Sequence, residues 1–239
     1  MVEGVKMVKE AIQEGAKIHT IVICEEALEQ TSMDHQYVYD IARNDCLYVS
    51  APVFKSLTDV TNPQGILTVV EKKSKQEEIS YQEDVVLVLD GIQDPGNMGT
   101  IIRTADSVGM KQILLSKGCA DVYNPKVIRS TMGAIFRVNV IECTDLTKTL
   151  QDLKNQNYQI VATDLKTKHT IYQMVEGKKA IVIGNEANGV SHDILKMADQ
   201  KVKIPMFGKT ESLNASVATG VILYECVRRK TNYKKSIDL

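Results

Sequence analysis

No stretch of this 239-residue chain approaches the roughly 20 consecutive apolar residues of a membrane span, and no apolar region of signal-peptide type opens it. The five cysteines (Cys24, Cys46, Cys119, Cys143, Cys226) are scattered and never form a Cys-x-x-Cys pair. That spacing speaks against structural zinc and for reduced thiols in a cytoplasmic protein. Four histidines stand isolated, so no metal constellation is legible and no metal is expected. There is almost no net charge either: the formal balance is −1. A basic total does not announce nucleic acid here, and any phosphate contacts must come from local cations. Lys72, Lys73 and Lys75 form one such group. Arg228, Arg229 and Lys230 with Lys234 and Lys235 form another. Each reads first as solvated surface and second as a phosphate contact. What remains is ordinary globular material, 44% hydrophobic and 25% charged, long enough for one large domain or two modest ones.

Residues 1 to about 70 read as a small α/β unit. Val5, Val8 and Ile12, with Ala11 alongside, make a helical stripe; 18–23, 46–49 and 66–70 look like strands, and 37–42 like a second helix. Pro63, Gln64 and Gly65 form a turn before the last strand. The charged run 71–78 contains no large apolar residue and serves as a linker, which divides the chain into domains 1–78 and 79–239. From 85 onward, strand-like runs at 85–89, 112–115, 160–163, 180–183 and 202–204 alternate with helical patterns at 97–108, 125–130, 145–155 and 192–198. A last helix covers about 214–229. Such alternation predicts a parallel sheet with helices on both faces.

The informative stretch is 85–110. Five residues, Val85 to Leu89, are β-branched or leucine without alternation, as in a strand buried on both faces. Pro95 and Gly96 then read as a turn and Asn97 as the cap of the following helix. Gly91 and Gly96 have the spacing of a phosphate-binding P-loop, but Asn97 and Met98 stand where Lys and Ser/Thr are needed. The glycines at 91, 96 and 99 do not supply Gly-x-Gly-x-x-Gly either. Both nucleotide readings fail.

Two later stretches share the character of this loop: Ile-Gly-Asn-Glu-Ala-Asn-Gly at 183–189, and Ile-Pro-Met at 204–206 running on to Ser-Leu-Asn-Ala-Ser at 212–216. Together the three resemble the motifs of the SpoU/TrmH family of RNA ribose 2′-O-methyltransferases in the SPOUT superfamily. Asn97, Gly99 and Arg103 match the first motif, Gly184, Glu186 and Gly189 the second, and Pro205, Ser212, Leu213 and Asn214 the third.

The resemblance implies a C-terminal parallel-sheet domain with a deep trefoil knot, preceded by a small L30-like α/β domain that helps choose the RNA. The basic helical lead of the most similar subgroup, expected before Glu3, is almost missing. S-adenosylmethionine is the implied methyl donor, held by Thr163, Gly184, Ile204 and Leu213, with Gly184 bare so that a planar ligand can lie on the strand end. Arg103, Asn97, Glu186, Ser212 and Asn214 are the implied catalytic set. Glu186 is expected to pair with Arg103, and Asn214 serves equally well as a helix cap. Arg129 and Ser130 are implied RNA contacts. The family often assigns the arginine as a base, although a guanidinium stays protonated. The expected activity is methylation of a nucleotide 2′-hydroxyl, in ribosomal RNA first and in tRNA second. A non-catalytic RNA-binding relative, or a factor protecting the ribosome from an antibiotic, is the other class. A homodimer is expected, with Val217, Val221 and Tyr224 on one stripe of the last helix.

Overall fold

The computed structural model describes residues 1–28, 46–72 and 78–237, the side chains of Leu28 and of 231–237 excepted. The helix expected at 37–42, Lys73, Lys75 and the side chains of Lys234 and Lys235 lie outside the described residues. The chain divides into two units, Met1–Ser74 and Lys75–Leu239.

In the first unit, β1 (Val2–Glu3), α1 (Val5–Gln13), β2 (Ile18–Ile23), α2 (Glu25–Leu28), β3 (Cys46–Tyr48), α3 (Ala51–Leu57) and β4 (Ile66–Val70) build a mixed sheet ordered β1-β4-β2-β3. Alternation along β2 sends Ile21 and Ile23 against Val5 and Val8 of α1, and Val22 against Phe54 of α3. The periodicity had given α1, β2 and β4. It missed α3, which is seven residues long and buries only Phe54.

In the second unit, β5 (Val85–Asp90), α4 (Pro95–Ser107), β6 (Gln112–Leu115), α5 (Pro125–Thr131), β7 (Asn139–Glu142), α6 (Leu146–Asn155), β8 (Gln159–Thr163), β9 (Lys179–Gly184), α7 (His192–Met197), β10 (Gln200–Val202) and α8 (Ala215–Ile237) follow in order. All six strands are parallel, in the order β10-β8-β9-β5-β6-β7. Leu87, Leu89, Ile181 and Ile183 point to one face, where Ile101, Ile102, Val127, Ile222 and Leu223 cover them. Val86, Val88, Ala180 and Val182 point to the other, under Leu146, Leu150, Leu153 and Ile194. The unalternating strands are therefore buried on both faces between two helical layers. No helix among the described residues is long and apolar enough to cross a membrane.

The parallel arrangement puts the ends of β5, β9, β8 and β10 side by side. In open α/β sheets, ligands sit beyond these carboxyl ends.

Candidate active site

The turn after β5 is built differently from the expectation. Asn97 does not cap α4: the helix starts two residues earlier, with Pro95 in its first turn. Asp94 is the N-cap, its Oδ1 accepting from the Asn97 N–H at 2.7 Å. Proline has no N–H to lose there, and a carboxylate suits the positive end of a helix. The correction matters, because it releases the Asn97 side chain for other work.

That side chain joins two distant segments. Asn97 Nδ2 donates to Glu186 Oε1 at 2.9 Å, and Asn97 Oδ1 accepts from Asn214 Nδ2 at 2.9 Å. Asn214 Oδ1 in turn accepts from the Ser216 N–H at 2.9 Å and the Ser216 hydroxyl at 2.7 Å, at the mouth of α8. Both amide orientations are set by this chain, since a carboxylate stands at one end and a helix N-terminus at the other. Asn214 thus caps α8 and bonds Asn97 at the same time.

Gly184 occupies the buried end of β9. A Cβ built on it lies 2.0 Å from Val190 N and 2.1 Å from Gly189 C. The chain's own return at 185–190 therefore requires a glycine here, a reason additional to the expected room for a ligand. Asn185 ties that return down: its backbone pairs with Gly189, its Nδ2 donates to Gly91 O at 2.8 Å, and its Oδ1 accepts from the N–H groups of Ala187 and Asn188. Asp90 Oδ2 accepts from Ser191 N–H at 2.8 Å. Sequence reasoning singled out neither Asn185 nor Asp90; the only signal was their place beside motif residues.

Arg103 is exposed and has no hydrogen-bond or ion-pair partner among the described residues. The expected pair with Glu186 does not form. Six residues separate Arg103 from Asn97 on α4, roughly 240° around the axis, so the guanidinium leaves from another face. Ser212 is exposed and stands outside the hydrogen-bonded chain. Arg129 is exposed on α5, whereas the Ser130 hydroxyl donates to Lys126 O at 2.8 Å. Ser130 packs where α5 crosses α4: a Cβ on Gly99 would lie 2.4 Å from the Ser130 Cβ. The motif glycine at 99 permits this close crossing.

Thr163, Gly184 and Ile204 stand at or just past the ends of adjacent strands, and Leu213 precedes α8. Ile204 and Leu213 are half-buried, and the Thr163 hydroxyl donates to Val182 O at 3.1 Å, leaving its lone pairs as acceptors. Apolar side chains beside strand-end backbone and a hydroxyl fit an adenosyl group. A cavity of about 430 Å³ lies elsewhere, lined by Val85, Met110, Met174, Lys179, Leu223 and Cys226 at the amino ends of the strands. Burial there pushes the Cys226 thiol up to about 11 and lowers the Lys179 amine. This is the wrong end of the sheet for the motif residues.

The described cations of the basic tail are paired. Arg228 and Arg229 both donate to the buried Glu225 carboxylate, Arg229 also to Met174 O and Tyr172 O, and Lys230 pairs with Asp84 at 3.0 Å. These three cations are anchors, not a free phosphate patch.

With this geometry in place, the comparisons with known proteins are consistent. Over 225 residues the chain is 29% identical to the 23S rRNA (guanosine(2553)-2′-O)-methyltransferase RlmP of Bacillus subtilis, covering 94% of this chain and 86% of that protein. The SpoU methyltransferase AviRb from Streptomyces viridochromogenes, crystallised with its cofactor AdoMet, superposes with a TM-score of 0.83 at 26% identity, over 96% of this chain and 89% of AviRb. An AdoMet-bound rRNA methyltransferase from Sinorhizobium meliloti gives 0.78 at 29% identity, over 95% and 86%. Residues 1–68 match the MRM3-like substrate binding domain. Residues 84–224 match the SpoU rRNA Methylase family, and the chain belongs to that family.

Proposed function

We propose that this protein transfers the methyl group of S-adenosylmethionine to a ribose 2′-hydroxyl of ribosomal RNA, in the cytoplasm, as a metal-independent homodimer. The observation that carries the reading is the hydrogen-bonded chain from Glu186 through Asn97 to Asn214, which joins one residue from each of three separate motifs. The residues 1–78 serve RNA selection, and 79–239 the chemistry. The trefoil knot implied by the resemblance belongs to the same reading.

When bound, S-adenosylmethionine supplies an electrophilic methyl group on a sulfonium. Thr163, Ile204, Leu213 and the backbone at Gly184 hold the donor. Arg103 stays cationic and clamps the phosphate of the target nucleotide. Its charge also stabilises the negative charge that grows on the 2′-oxygen, while the proton leaves to a phosphate oxygen or water. Asn97, Glu186, Ser212 and Asn214 orient the ribose, and Arg129 grips the RNA beside it. Ser130 acts through the α4–α5 crossing. Alignment of the two reacting centres is the main contribution asked of the site.

The test is methyl transfer to unmodified 23S rRNA and to unmodified tRNA, read by nucleoside mass spectrometry. A 2′-O-methylated nucleoside from the rRNA is expected. Methyl groups on tRNA alone would overturn the choice of RNA, and methyl groups on bases would overturn the chemistry.

Assembly has its own test. Val217, Val221 and Tyr224 are 51%, 38% and 55% exposed along one face of α8. A contiguous apolar stripe of this kind is suited to pairing with its own copy across a two-fold axis. Light scattering at tens of micromolar is expected to give a dimer, and Val221→Asp a monomer. A wild-type monomer would remove the claim.

A further inference from the structure

Phenylalanine is scarce here, and its three copies are treated very differently. Phe54 is 1% exposed and Phe136 half-buried, but Phe207 is 94% exposed, the highest value of any large apolar residue described. It sits in the segment 203–214, which leaves the carboxyl end of β10 and returns to Asn214, already bound to Asn97. Both ends of that segment lie on the ligand side of the sheet. Gly208 follows it with nothing near its open side. Lys203 and Lys209 flank the ring in sequence. The neighbouring loop after β8, which pairs with β10, presents Leu165 at 60% exposure with Lys166 and Lys168.

An aromatic ring in water on a segment that also carries lysines matches what single-stranded nucleic acid asks of a surface. Bases need a flat apolar face to stack on, and the phosphates between them need cations. Lysines such as these can fill that second role. We propose that Phe207 is a stacking platform for an unpaired base of the substrate RNA, at or next to the methylated nucleotide, with Lys203 and Lys209 on the adjoining phosphates. The inference rests on the reading of the protein as an RNA methyltransferase and adds a recognition residue to it. Stacking tolerates any base, so Phe207 grips an unstacked nucleotide without choosing its identity.

The experiment compares wild type, Phe207→Ala and Phe207→Trp. It measures affinity for in vitro transcribed 23S rRNA, methyl transfer to it by nucleoside mass spectrometry, affinity for S-adenosylmethionine by calorimetry, and mass by light scattering. Phe207→Ala is expected to weaken RNA binding on the order of 10-fold, the typical size of one stacking contact. Phe207→Trp should bind within about twofold of wild type, because it keeps the stacking face. Donor affinity and mass should not move. Unchanged RNA affinity in Phe207→Ala overturns the proposal. A loss of donor affinity would place the ring on the donor, and a change of mass would place it against a second copy; either also overturns it. Wild type that binds the donor yet methylates no RNA would instead bring down the underlying function, an outcome these readouts separate.

Discussion

Arg103→Ala is expected to lose on the order of 100-fold or more of the single-turnover rate of 2′-O-methylation while S-adenosylmethionine affinity stays within about twofold. Its exposure and lack of partners among the described residues make the forecast clean. Removing an exposed helical side chain that holds nothing shifts stability by no more than about 0.5 kcal/mol, so lost rate is not lost fold. The fork is free to meet phosphate and developing 2′-oxyanion together. Arg103→Lys keeps the charge without the planar fork and should also fail. A lysine variant with appreciable activity would reduce the residue to a point-charge clamp. Near wild-type turnover by the alanine variant would end its catalytic role.

Gly184→Ala should be the most damaging single methyl group in the C-terminal unit. Its Cβ would stand 2.0 Å from one backbone atom and 2.1 Å from another, and neither is the end of a flexible side chain. The return at 185–190 would have to lift, breaking the Asn185–Gly189 pairing and moving Glu186 away from Asn97. Overpacking of this kind costs about 1–3 kcal/mol or more. At about 2–4 °C per kcal/mol for a protein of this size, that is a fall in Tm of roughly 2–12 °C. Donor binding should weaken with it. Gly208→Ala is the control, since its Cβ meets nothing. Differential scanning calorimetry showing Gly184→Ala as stable as wild type would contradict the packing described.

How far the chain could be read in advance depended on what each element needs. Strands β5 and β6 and helix α6 were legible, because burial on both faces or on one helical stripe leaves a periodic trace. β7 was not, being four residues with none fully buried. The cap of α4 was missed by three residues: Pro95 was read as a turn although proline is at home in a first helical turn. Glu186, Asn97 and Asn214 were found through their motifs, since no local pattern links residues so far apart. Their partners were not. The expected Arg103–Glu186 pair ignored the angle between two positions on one helix. The engagement of Arg228 and Arg229 was also missed, both being read as solvated surface or a phosphate contact, although Glu225 lies three and four residues before them, the spacing at which helix side chains meet.

The strand order has a cost in time. β5 lies between β9 and β6, and β9 is made only after β6, β7 and β8. While the chain is being synthesised, the run Val-Val-Leu-Val-Leu of β5 has its β6 neighbour on one edge and nothing to pair with on the other. At about 5–20 residues per second, the wait for β9 is on the order of ten seconds. An open strand edge that is apolar and uncharged is a template for another chain. Long-range parallel pairing also closes slowly. The order that lines up four strand ends for catalysis therefore leaves the newborn protein exposed to aggregation until most of its length has emerged.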